Sequence, residues 1–176
     1  MFDAPFKFEQ VNFSLKGNGS SSGNVWLFTF EGKAKESYIL EAEEFESNFV
    51  MIGFYLKRDE DKGNKEKYGL KTNLFEFSRV LATCLQIMKF LHLKNPQISF
   101  GFIGNPSVDD EKDIGFSNTK RFRIYSQLMA NVIAPTSFQH YADPERSMYL
   151  LISRNQSENK LEKLTKFLLS RWNSLD

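Results

Sequence analysis

Along the first third of the chain apolar positions recur every second residue, and from residue 73 onward they recur at helical spacing. Phe6 and Phe8 alternate, and Val11, Phe13 and Leu15 alternate in the opposite phase, so the spacing predicts a strand with a bulge between the two sets. VWLFTF (25–30) is apolar on both faces, while SYILEAEEF (37–45) sets Tyr38, Leu40 and Ala42 against polar or half-polar neighbours. NFVMIGFYLKR (48–58) is again apolar on both faces, which suits a central strand covered on each side. Short polar connections, including the flexible GNGSSSGN (17–24), join these four strands into an expected antiparallel meander. The charge run DEDKGNKEK (59–67) reads as a solvated surface loop, and YGLKT (68–72) as a short strand end.

Beyond Asn73, a candidate N-cap, the residues Phe77, Val80, Leu81, Cys84, Leu85, Ile87, Met88 and Leu91 fall on one broad helical face. KNP (94–96) ends that helix, because a residue before proline avoids the helical region. QISFGFIGNP (97–106) is a short buried strand, and a helix between two strands predicts a parallel crossover. An acidic loop, SVDDEKDIGFS (107–117), precedes a second helix with Phe122, Tyr125, Leu128, Met129, Val132 and Ile133 turned inward. FQHY and SMYLLISR form a hairpin around ADPERS, and an amphipathic C-terminal helix carries Leu161, Leu164, Leu168 and Leu175 on one stripe. The expected fold is α+β: one domain over residues 1–156, with a twisted, mostly antiparallel sheet and helices on both faces. The helix of residues 157–176 either covers that sheet or serves association with a second copy or a protein partner.

Composition narrows this only a little. The net charge of +1 over 176 residues lacks the basic excess of a dedicated nucleic-acid binder, and 18 Phe imply faces packed by rings. One cysteine, Cys84, excludes an internal disulfide, and its place among Leu and Ile predicts an inert thiol. No apolar run is long enough to cross a bilayer and the N-terminus does not read as a signal peptide, so a cytoplasmic protein is expected. His92 and His140 stand apart with no cysteine pair, which leaves zinc without a ligand set, and Ser20 to Ser22 have no base at an identifiable spacing.

The segment NTKRFRIY (118–125) raises the sharpest question. Lys120, Arg121 and Arg123 stand at a helix start, where the dipole favours acids. They either pair with Asp109, Asp110, Glu111 and Asp113 upstream or bind an anion, as phosphate, nucleic acid or an acidic partner.

The order of meander, helix, strand, helix, strand over residues 25–153 resembles the GNAT acetyltransferase fold. There the second helix often begins with Asn and carries a Tyr seven residues later, as Asn118 and Tyr125 do here. The resemblance implies that Asn118 contacts the pantetheine arm of acetyl-CoA and that Tyr125 protonates the departing thiolate. The phosphate-cradling loop of that family has no counterpart: GLKTNLFEFSRV (69–80) puts Leu74, Phe75 and Phe77 where small residues belong, and adds Glu76. KTNLFEFSRVLATCLQIMKF, ISFGFIGNP and NTKRFRIYSQLM also resemble uncharacterised bacterial (Bacteroidetes-type) and phage proteins of GNAT-like fold without that loop. The resemblance therefore implies a degenerate GNAT-like binding or regulatory module, with no cofactor. The alternatives are an N-acyltransferase using acetyl-CoA with Tyr125 as general acid, and a nucleic-acid or phosphate binder using Lys120, Arg121 and Arg123.

Overall fold

A computed structural model describes residues 4–15, 23–33, 35–45, 48–63, 67–68, 76–106, 117–155 and 162–166. These form one mixed, mostly antiparallel sheet of seven strands in the order β1-β2-β3-β4-β5-β7-β6. The strands are β1 (Phe8–Leu15), β2 (Asn24–Glu31), β3 (Ser37–Phe45), β4 (Phe49–Leu56), β5 (Ser99–Ile103), β6 (Phe138–Asp143) and β7 (Met148–Ser153). Helix α1 (Phe77–Lys94) joins β4 to β5, helix α2 (Lys120–Val132) joins β5 to β6, and residues 162–166 are helical.

The meander and the crossover form as the pattern predicts. β1 to β4 pair antiparallel in sequence, β4 and β5 pair parallel, and β6 and β7 make the hairpin around Pro144–Ser147. The register of β1 slips between Gln10 and Asn12, where the phase of the apolar residues changes, and Val11 is left exposed at the slip.

Alternation sorts the side chains into two unequal faces. Phe28, Leu40 and Phe54 form one cross-strand row, and Val50, Phe100 and Leu151 another. Both rows belong to the large core beneath α1 and α2, which buries Val80, Cys84, Ile87 and Leu91 from α1 and Phe122, Tyr125, Leu128 and Met129 from α2. Rings dominate it: Phe6 stacks on Phe30 and Phe30 on Tyr38, while Phe90 meets Phe8 and Phe28 edge-on. The opposite face has a smaller core of Phe45, Phe49, Met148, Leu150 and Ile152 under Leu164. Both long helices therefore share one face, and Leu164 of the C-terminal segment packs on the other. Leu164 meets its own sheet; Leu161, Leu168 and Leu175 lie outside the described residues.

Several local expectations are corrected. Tyr68 belongs to a helical turn at residues 67–68 rather than a strand end. The run 59–67 is not wholly solvated, since Asp59 is buried in a 3-10 turn with Lys62 on its Oδ1 at 2.8 Å. Helix α1 begins after Glu76, with Val80 N donating to Glu76 O at 2.9 Å, while Asn73 lies outside the described residues. Val132 is exposed because the last turn of α2 clears the core, and Ile133 packs there instead. Asn95 caps the C-terminus of α1, as the proline after it requires. No described helix is long and apolar enough to cross a membrane.

Candidate functional site at the divergence of β4 and β5

The one parallel pair of the sheet is short. Phe49, Val50 and Met51 pair with Ser99, Phe100 and Gly101, after which β4 runs on to Leu56 while Phe102 and Ile103 pair only with β7. Gly101, at the last paired position, has no room for a side chain: a Cβ would stand 2.5 Å from Phe49 Cζ and 2.6 Å from Met51 Sδ. Past Met51, Phe54 of β4 meets Tyr125 in the second turn of α2.

The start of α2 is held by the end of β5 and by the β6–β7 turn. Thr119 is its N-cap, not Asn118: the Thr119 hydroxyl accepts from Phe122 N at 3.2 Å and donates to Gly104 O at 2.5 Å. Thr119 N donates to Ser147 Oγ at 2.9 Å, and Asn118 N to Pro144 O at 2.7 Å. A Cβ on Gly104 would stand 2.5 Å from Phe122 N, so only glycine lets helix and strand approach this closely. Asn118 is exposed in the left-handed region at φ 49°, one residue before the cap, a conformation asparagine tolerates.

The three cations behave differently from one another. Arg121 donates from Nη1 to Tyr68 O, and Arg123 donates from Nη1 to Asn118 O at 2.5 Å. Lys120 is exposed. The acids Asp109, Asp110, Glu111 and Asp113 lie outside the described residues. Because the Tyr68 ring rests against Gly53 on the far face of the sheet, the Arg121 contact links α2 to that face across the gap between β4 and β5.

Tyr125 is 7% exposed, its ring stacked on Phe77 at 6.2 Å and tilted against Phe54 at 6.5 Å. Burial raises its phenol above the usual value of 10, with Arg121 acting the other way, so the group is protonated at neutral pH. Cys84 nearby is buried and its thiol is pushed up to about 12 by desolvation, the inert state expected of it.

At the head of α1, Glu76 is 3% exposed and accepts from Lys33 N at 2.5 Å through Oε1. A buried carboxylate thus stands at the start of α1. His140 bonds through Nδ1 to the Tyr149 hydroxyl at 2.8 Å, and His92 lies 4.9 Å from the Phe138 ring. No group of three or more metal-ligating side chains occurs among the described residues.

The pattern-based reading missed Lys67, Tyr68, Glu41 and Tyr55. Lys67 Nζ sits 3.9 Å over the Tyr55 ring and 3.5 Å from Glu41 Oε2. Nothing in the local pattern marks them, because they meet only through the pairing of β3 with β4 and the turn at 67–68.

No family model, curated protein or solved structure matches the chain.

Proposed function

We propose that the chain is a degenerate GNAT-like module that binds a partner rather than transferring an acyl group. The sheet order with one short parallel pair, and Asn118 and Tyr125 near its divergence, support the GNAT-like part of this reading. The observation that carries the rest is the contact of Arg121 with the Tyr68 carbonyl, which spans the gap that an extended cofactor arm would need. Glu76 adds a buried negative charge at the helix start that a pyrophosphate would approach. The partner proposed is a protein or a second copy, with Leu93 and Val132, exposed at the ends of α1 and α2, as apolar points of contact.

Acetyl-CoA at millimolar concentration tests this reading, since a ligand that binds only the native state raises the melting temperature by mass action. No shift is expected. Stabilisation that disappears in Asn118→Ala overturns it.

The position of Tyr125 against Phe54 of β4, with its phenol kept protonated by burial, favours a second reading, an N-acyltransferase with Tyr125 as general acid. Under it, amine substrates turn over with acetyl-CoA, and Tyr125→Phe lowers the rate by about a hundredfold or more. A nucleic-acid or phosphate role ranks below both, because Arg121 and Arg123 donate to the chain's own carbonyls.

A further inference from the structure

On the sheet face away from α1 and α2, a single ammonium is enclosed by three elements. Lys67 Nζ lies 3.9 Å from the ring centroid of Tyr55 on β4, 5.4 Å from that of Tyr68, and 3.5 Å from Oε2 of Glu41 on β3. The Tyr68 hydroxyl donates to the same carboxylate oxygen at 3.4 Å, and the two rings meet edge to face at 5.6 Å. The lysine and glutamate side chains are only 15% and 20% exposed. Burial raises both phenols above their usual value, so the rings stay neutral around the charge.

The walls of this enclosure are fixed independently of the ammonium inside it. Gly53 leaves room for the Tyr68 ring, because a Cβ there would stand 2.8 Å from Tyr68 Cε1. Arg121 holds the Tyr68 carbonyl from α2, and Tyr55 and Glu41 are anchored in paired strands. Desolvation and side-chain ordering offset much of the attraction in a partly buried ion pair, so stability is a weak reason for building it. Aromatic faces with one carboxylate are instead the chemistry that recognises an alkylammonium group.

We propose that Glu41, Tyr55 and Tyr68 form a binding cage for a primary alkylammonium group, which the resting chain fills with its own Lys67. The cage stands whether or not the sheet is GNAT-like, and its tests involve neither cofactor nor turnover. A tethered occupant competes at an effective concentration in the millimolar range, so an outside amine enters the intact protein only above that level.

Lys67→Ala removes the side chain beyond Cβ, which is the equivalent of n-propylammonium. Added n-propylammonium should raise the melting temperature of Lys67→Ala by about 2 °C or more, and n-propanol should not. Glu41→Gln in the same background should abolish the rise. The absence of any rise, or an equal rise with n-propanol, overturns the proposal. The unsubstituted chain provides a measurement that needs no variant to fold: the Lys67 Cε–Hε NMR signal, displaced by the Tyr55 ring. Spermidine and a blocked lysine peptide, each added well above the millimolar range, should move that signal to the position of an exposed lysine. The stronger of the two identifies a free polyamine or a lysine side chain as the source. A signal unmoved by either overturns the proposal.

Discussion

The two long helices begin in opposite ways. α1 starts at Glu76, whose side chain caps no helical N–H and instead reaches back to Lys33 N in the β2–β3 turn. α2 starts at Thr119, whose hydroxyl both caps Phe122 N and donates to Gly104 O, with three cations in the next turn. The acid at α1 agrees with the helix dipole; the cations at α2 oppose it. Arg121 directs its guanidinium onto the carbonyl of Tyr68, and Arg123 folds back to donate to the Asn118 carbonyl just before the cap. A basic helix start is therefore not by itself an anion site. One start is occupied by a carboxylate, and the other is closed by a hydroxyl and a tight strand contact.

The contrast breaks most readily at the α2 start. Gly104→Ala drives a methyl group to within 2.7 Å of Phe122 Cα, a backbone clash that no side-chain rotation relieves. It should cost about 3 kcal/mol, the upper part of the overpacking range, read from denaturant midpoints. A variant as stable as the parent would mean that α2 is not locked to β5 here. Glu76→Ala at the other start leaves Lys33 N without its acceptor and should cost about 2 kcal/mol. If the loss is negligible, the carboxylate is not a structural part of the α1 start. Thr119→Ala removes the cap and should cost about 1 kcal/mol, whereas Asn118→Ala should fall well below it; equal losses would reassign the cap. Arg123→Ala, at an exposed position, should change stability by less than about 0.5 kcal/mol.

The far ends of the helices add a dependence on pH. His92, in the last turn of α1, and His140, on β6, both have their pKa lowered from 6.5 by burial. The native state therefore favours neutral rings, and their contribution to stability, full above 6.5, is lost as pH falls through the lowered values. Denaturant midpoints should fall on acidification from about pH 7.5 to about pH 5.5, and less so in a His92→Gln, His140→Gln double variant. An undiminished slope in that variant would assign the effect to carboxylates.

Much of this was legible locally. Alternation marked β3, runs apolar on both faces marked β2 and β4, and the phase change in β1 marked its bulge, because each pattern is a property of neighbouring residues. The helical face of Val80, Cys84, Ile87 and Leu91 was legible for the same reason. Boundaries were less so: Asn118 and Thr119 are both good caps by type, and Gly104 and Ser147, distant in sequence, select the second. The charge run at 59–67 looked solvated because composition alone weighs it, yet Asp59 is buried with Lys62 on its carboxylate, and Lys67 is drawn in by Glu41 and Tyr55 on the sheet.

Spacing along the chain thus sufficed to say which segments are strands and helices and which of their faces are apolar. It did not suffice to say that α1 and α2 share a face, that Thr119 rather than Asn118 closes the second helix, or that Arg121 spans the gap to Tyr68. Nor did it place Lys67 between Tyr55 and Glu41. Each of these follows from which distant strands pair and in what register, because register sets which side chains from remote segments come within reach of one another.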